Sequence, residues 1–261
     1  MRWCSVSNYV AFYFGQNIDA GNFALDFSEG GPELQASVVI GDYTLTEIAA
    51  AVASAMNQAG ALTYAVSVNR DTRVITISAS GVFQLLTTTG TRFGVSIFPL
   101  LGFSGANKTG AATYAGSVAS GSEYVSQFYP QDFVPAANNR QFIDPTVNES
   151  ASGEIEVIKF GERRFINMNL RYATDIPQPV NGPIRNNLSG ISDLIAFLEY
   201  ATTKARFEYM FDSTDRATFE NVLLESTPEE STGTAFQLQE LYGQGLAGYY
   251  ETGLLKLRKV G

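Results

Sequence analysis

Residues 43–56 read Tyr43-Thr44-Leu45-Thr46-Glu47-Ile48-Ala49-Ala50-Ala51-Val52-Ala53-Ser54-Ala55-Met56. Thr44 at the N-cap and Glu47 three residues on form a capping box. Each side chain there accepts an amide hydrogen that the first helical turn leaves without a partner. Leu45, Ile48, Ala49, Val52, Ala55 and Met56 then recur at helical spacing, and the alanines add propensity. Gly60 is placed to stop the helix. The spacing predicts a helix over residues 45–58, with a small Ala-rich side that lets a sheet or another helix approach closely.

Downstream of that helix the period changes to two. Tyr64, Val66 and Val68 alternate in one run, and Val74, Thr76 and Ser78 alternate with Ile75 and Ile77 in another. Asn69-Arg70-Asp71-Thr72 supplies the turn between them. Val82 to Leu86 reads as a further apolar piece. Upstream, residues 8–40 read as short extended segments, with Tyr9, Ala11 and Tyr13 alternating with Val10, Phe12 and Phe14. The expectation is a small α+β domain over residues 1–115, one amphipathic helix laid on a sheet.

Residues 100–153 carry loop chemistry without period: Gly102, Gly105, Gly110, Gly116 and Gly121, then Pro130, Pro135 and Pro145. The domain boundary is placed inside this stretch, and residues 116–153 are read as a connector arm. Tyr124, Phe128, Tyr129, Phe133 and Phe142 favour an arm that packs on a neighbour, because flexible linkers seldom carry so many aromatics.

Residues 154–261 are denser in strands. Alternating runs occur at Ile155 to Phe160, Arg164 to Tyr172, Ala205 to Phe211, Phe219 to Leu224, Ala235 to Leu241 and Leu254 to Arg258. Between them a second helix is expected near 190–202, with Ile191, Leu194, Ile195, Leu198 and Ala201 on one face. A β-sandwich or split barrel with one flanking helix buries that pattern economically. The fold class expected for the whole chain is α+β and β-rich.

Composition bounds the function. The 261 residues are 45% hydrophobic and 12% aromatic, which is enough for packed cores and too much for a disordered chain. The formal charge of −9 gives no net field that draws nucleic-acid phosphates, so no specific nucleic-acid binding is expected. Cys4 is the one cysteine, so no disulfide forms within the chain. No apolar run approaches the length of a membrane span, and the N-terminus lacks a signal-peptide core. The expectation is a soluble chain made in a cytoplasm.

The chain contains no histidine. That excludes histidine-dependent triads and histidine zinc or haem sites. Gly102-Phe103-Ser104-Gly105-Ala106-Asn107-Lys108-Thr109 resembles a P-loop, but Asn107 stands where the last glycine belongs. A Gly-rich connector is the favoured reading. Paired carboxylates suffice for glycoside hydrolysis. Of the pairs here, Glu154 with Glu156 share a strand face, while Asp212 with Asp215 and Glu229 with Glu230 fall in turns. A solvated strand face and polar turns are the commoner explanations, and loose calcium binding at Asp212, Ser213 and Asp215 lacks the EF-hand glycine and glutamate. No enzyme activity, cofactor or metal is expected. Phe207, Tyr209 and Phe211 at strand spacing read as core. Tyr242, Tyr249 and Tyr250 lie in a Gly-rich stretch and are candidates for subunit contact, together with the arm aromatics.

Several C-terminal segments carry a resemblance: Phe160-Gly161-Glu162-Arg163-Arg164-Phe165-Ile166-Asn167-Met168-Asn169-Leu170, then Arg206-Phe207-Glu208-Tyr209-Met210-Phe211-Asp212, Val222-Leu223-Leu224-Glu225-Ser226-Thr227 and Gly253-Leu254-Leu255-Lys256-Leu257-Arg258. This array resembles tail structural proteins of tailed bacteriophages, of the tail-tube, distal-tail and hub type. The resemblance implies β-sandwiches or split barrels flanked by a helix that assemble as rings around the tail channel. Its partners are then other copies of itself and neighbouring tail proteins, and its location the virion tail. The extra N-terminal unit points to a tail end or junction rather than to repeated tube subunits. An acidic lumen suits passage of DNA without adhesion. A carbohydrate- or receptor-binding β module, and a capsid decoration or neck protein, are the alternatives.

Overall fold

The computed structural model describes residues 9–127, 139–142, 146–149, 155–158, 162–170, 173–175, 189–212, 215–225, 238–241 and 247–260. In chain order the strands begin with β1 (Tyr9–Phe14), β2 (Gln16–Ile18), β3 (Ala24–Ser28), β4 (Glu33–Ser37) and β5 (Gly41–Tyr43). Helix α1 (Leu45–Ala59) follows, then β6 (Tyr64–Asn69), β7 (Val74–Leu85), β8 (Lys108–Ala115), β9 (Ser122–Gln127), β10 (Asn139–Phe142), β11 (Thr146–Glu149), β12 (Ile155–Ile158) and β13 (Glu162–Asn169). Helix α2 (Ile191–Thr202) precedes β14 (Phe207–Met210), β15 (Glu220–Leu224), β16 (Gln239–Glu240), β17 (Tyr250–Glu251) and β18 (Leu254–Lys259). The fold is α+β and β-rich, with several antiparallel sheets.

Helix α1 starts where the capping box places it. The Glu47 amide donates to Thr44 Oγ1, and the Thr44 amide donates to Glu47 Oε2 at 2.9 Å. Gly60 closes it, donating its amide to the Met56 carbonyl. The six residues at helical spacing are the six that the helix buries. They pack on a sheet ordered β4-β3-β7-β6, with β8 on the far side of β7. Leu25, Phe27, Ile75, Ile77, Phe83 and Leu85 supply the sheet's side of that core. The predicted hairpin is the β6–β7 pair, in register from Tyr64↔Ala79 to Asn69↔Val74. Val82 to Leu85 is not a separate strand. It continues β7, which bends past Ser78 and exchanges β6 for β3 as its partner.

The second sheet has seven strands, ordered β10-β13-β18-β15-β14-β1-β9. Two features of it depart from the sequence reading. The sequence pattern places residues 9–14 in the N-terminal domain, but β1 lies between β9 and β14, with Phe12 opposite both Tyr124 and Tyr209. The reason is burial on both faces: Val10, Phe12 and Phe14 join one core, and Ala11 and Tyr13 the other. A strand apolar on both faces needs a layer on each side. Residues 108–115 and 122–127, whose composition predicts loop and arm, form β8 and β9. In β8, Gly110 and the run of small residues leave no alternation to read, because neither face of this edge strand is fully buried.

Helix α2 covers the other face of the seven-stranded sheet. Its buried residues are Leu194, Phe197, Leu198 and Ala201. Phe197 therefore takes the place the spacing gave to Ile195, which is 42% exposed. The Phe197 ring stacks on Phe12 at 4.6 Å and on Tyr124 at 5.7 Å, and meets Phe207 edge-on at 5.1 Å. Among the described residues no helix is long and apolar enough to cross a membrane.

Candidate assembly site

The β6–β7 hairpin ends in the turn 69–73, and this turn is held against the seven-stranded sheet. Arg70 reaches across from it. One of its Nη2 contacts is the Glu208 carboxylate on β14 at 2.5 Å, and Nη1 donates to Thr46 Oγ1 at 3.1 Å. The Arg70 guanidinium also lies 3.7 Å above the Phe219 ring. Glu208 has no exposed surface. Its second oxygen accepts the Thr46 amide at 2.9 Å, in the first turn of α1. A buried carboxylate is thus balanced by a guanidinium and by the positive end of a helix, as an uncompensated buried charge would be prohibitively costly.

Tyr13 of β1 stands beside this pair. Its hydroxyl donates to the Arg70 carbonyl and accepts from Arg216 Nη1 at 2.5 Å. The guanidinium carbons of Arg70, Arg73 and Arg216 all lie within 5.7 Å of the Tyr13 ring centre. Glu123 of β9 answers two of these cations, at 2.5 Å from Arg216 and 3.6 Å from Arg73. Burial pushes the Tyr13 phenol above its ordinary value, although Arg216 and Arg70 pull the other way. Arg216 is raised too, since Glu123 and Tyr13 outweigh its own burial. Outside this cluster, Arg206 joins the Glu47 carboxylate at 2.7 Å and the Asp42 carbonyl at 3.0 Å. Side chains from β1, β9, β14, α1 and the hairpin turn therefore fasten the two sheets into one block.

The free surface of that block includes strand edges, and two of them are each capped at a single residue from within the chain. At β9, the Val125 amide donates to Ser189 Oγ and the Ser189 amide donates back to the Val125 carbonyl. At β6, Asn57 of α1 does the same for Tyr64, donating through Nδ2 to its carbonyl and accepting its amide at Oδ1, both at 2.8 Å. In each case one polar residue, within α1 or just before α2, takes the place of a missing strand at one position.

The residues singled out for subunit contact are dispersed. Tyr124 is a correction: it is 1% exposed, in the aromatic stack under α2, with its phenol pushed up to about 12 by burial. Strand β9 points it inward because its neighbours Glu123 and Val125 take the opposite face. Phe142 lies in β10. Tyr249 and Tyr250 are half-buried. Tyr250 packs against the α2 core and exchanges backbone hydrogen bonds with Ala173. Phe128, Tyr129, Phe133 and Tyr242 lie outside the described residues, as do Glu154, Ser213, Glu229, Glu230 and Cys4. Glu156 lies in β12, and Asp215 accepts a hydrogen bond from Thr218. Lys108 opens β8 rather than a helix, so the P-loop-like run is a connector into a strand. Phe207 and Tyr209 are core, while Phe211 is 44% exposed.

The joint itself was missed. Its one signal in the sequence is Glu208, a lone acid between Phe207 and Tyr209 in a strand whose four residues are all buried. No protein-family model matches the chain, and no curated protein is similar to it in sequence.

Proposed function

We propose that this chain is a non-enzymatic structural protein of a virion, a ring-forming component of a phage tail at its distal end or at a junction. The observation that carries this reading is the charged joint. A subunit that passes load to its neighbours needs its parts fixed in one relation, and a desolvated ion pair seated on a helix end resists sliding because any shift strands a buried charge. The strand edges around the block give neighbours a place to add. The net charge of −9 suits a surface past which DNA moves.

The test is location and shape. Antibodies or a visible tag on the chain should label the tail end of particles, and the purified protein should form closed rings in negative stain. Labelling of the capsid alone favours a decoration or neck role. A chain that never enters particles, but binds defined sugars on a glycan array, is a receptor-binding module instead.

A further inference from the structure

The backbone of β6 has one side turned to β7 and one turned away, and the hydrogen bonds say which residues belong to each. Ser80 donates its amide to the Thr63 carbonyl, so residue 63 bonds inward. Tyr64 gives both its groups to Asn57, so residue 64 bonds outward. In an antiparallel ladder this alternates. The amides and carbonyls of Val66 and Val68 therefore face away from the sheet, on the side where, among the described residues, no strand neighbours β6.

Beyond Tyr64, this edge also lacks the usual protection among the described residues. Natural edges are blunted by charge, proline, bulges or a covering element. Each of the other edge strands of the two large sheets carries a charge: Glu33 in β4, Lys108 in β8, Glu123 in β9 and Arg140 in β10. The sequence of β6 is Tyr-Ala-Val-Ser-Val-Asn, with no charge and no proline, and its register with β7 has no bulge. Ala65, Ser67 and Asn69 are exposed on one face, while Val66 and Val68 pack partly against the α1 core on the other.

We infer that the outer edge of β6 is a self-pairing site, at which two copies of this chain join β6 to β6 antiparallel about a two-fold axis at Ser67. An extended backbone is the one ligand that matches outward amides and carbonyls in this spacing. The same strand from a second copy fits for a specific reason. Val66 lies opposite Val68 of the other copy, so each pair exchanges two hydrogen bonds. Ser67 meets Ser67, small and neutral, with no like charges opposed. Valines pair on the inner face, and a strand of low charge has nothing to repel its own image. Asn57 ends the ladder at Tyr64, which fixes the register and stops the pairing from spreading along the edge. This goes beyond the virion reading and does not depend on it.

The experiment measures mass by sedimentation over a concentration series for the full chain. The wild type should pass from one copy to two. Ser67→Lys and Ser67→Glu each place like charges opposite one another and should raise the dimer dissociation constant about tenfold or more. Their equimolar mixture should restore pairing as a heterodimer, while Ser67→Ala should behave as wild type. Circular dichroism checks that the variants are folded. Amide deuterium exchange on the unaltered chain gives a reading free of mutation: Val66 and Val68 should gain protection as concentration rises. A wild type that stays a single copy at every concentration overturns the inference. So does association that Ser67→Lys and Ser67→Glu leave unchanged, or exchange at Val66 and Val68 that ignores concentration. Dimers that form in solution while the chain is absent from particles sink the virion reading alone.

Discussion

Glu208 separates two kinds of acidic residue in this chain. It has no exposed surface, and both its oxygens are engaged, one by Arg70 and one by the Thr46 amide. Removing its charge leaves the Arg70 guanidinium only partly hydrated over Phe219. Glu208→Gln should lower unfolding stability by about 3 kcal/mol in urea titrations. Adding Arg70→Met should recover about 1–2 kcal/mol, because the second change removes the stranded cation. A cost near zero for Glu208→Gln means that the joint is not what fastens the sheets. Glu29 acts differently. Its carboxylate accepts the amides of Ala61 and Leu62 and the Tyr64 hydroxyl. Burial works to raise its pKa, but the hydrogen bonds from Leu62, Ala61 and Tyr64 together hold it below the ordinary glutamate value. A lowered carboxylate stabilises the fold fully above its unfolded pKa of about 4.3, and that contribution is lost as pH falls through the folded value. Glu29→Gln should therefore melt earlier than wild type near neutrality. The gap in Tm should close as the pH drops below the ordinary glutamate range. Neither role could be read from the sequence. Glu29 lies 32 to 35 residues from its partners, with α1 between them, and Glu208 and Arg70 are 138 residues apart.

At the scale of elements, the helices were legible to different degrees. Helix α1 could be read almost whole, because a capping box, a stop and six spaced apolar residues all agree. Helix α2 offered apolar residues around more than one face, and spacing alone did not choose Phe197 over Ile195. The sheet made that choice, by offering Phe12, Tyr124 and Phe207 as ring partners. Phe197→Ala should cost about 4 kcal/mol, with the loss visible in urea unfolding and in the near-ultraviolet signal of Tyr124. Ile195→Ala, on the exposed side, should cost less than about 1 kcal/mol. The strands that went unread are those at edges. In β8 and β9 small and polar residues occupy the outer positions, and the local pattern cannot tell an edge strand from a loop. The plug at Asn57 is equally silent in sequence. Asn57→Ala should cost about 1 kcal/mol, and should speed amide exchange at Tyr64 before that of the neighbouring inward amides.

For the whole molecule, the two-helix, β-rich plan was open to sequence, but its division was not. Cutting the chain near residue 116 separates β1 from its partners, since a strand's pattern shows that it is buried but not against what. Phe12 of β1 lies between Tyr124 and Tyr209, so β1 joins the edge strand β9 to the rest of the second sheet. A fragment beginning after residue 14 should leave β9 and β14 without the strand that joins them. It is expected to bind the dye ANS and to unfold without a sharp transition, where the full chain unfolds cooperatively. The same arrangement bears on synthesis. Strand β1, Tyr-Val-Ala-Phe-Tyr-Phe, is made before either of its partners and has neither charge nor proline to keep it from aggregating. It must wait for β9, and then for β14 some two hundred residues on, before both its edges are satisfied. Pairings so distant in sequence close slowly. Nascent chains should therefore carry a sticky, half-paired strand until residue 210 is made, and the yield of folded protein should respond to chaperone supply and to the pace of translation between residues 14 and 210.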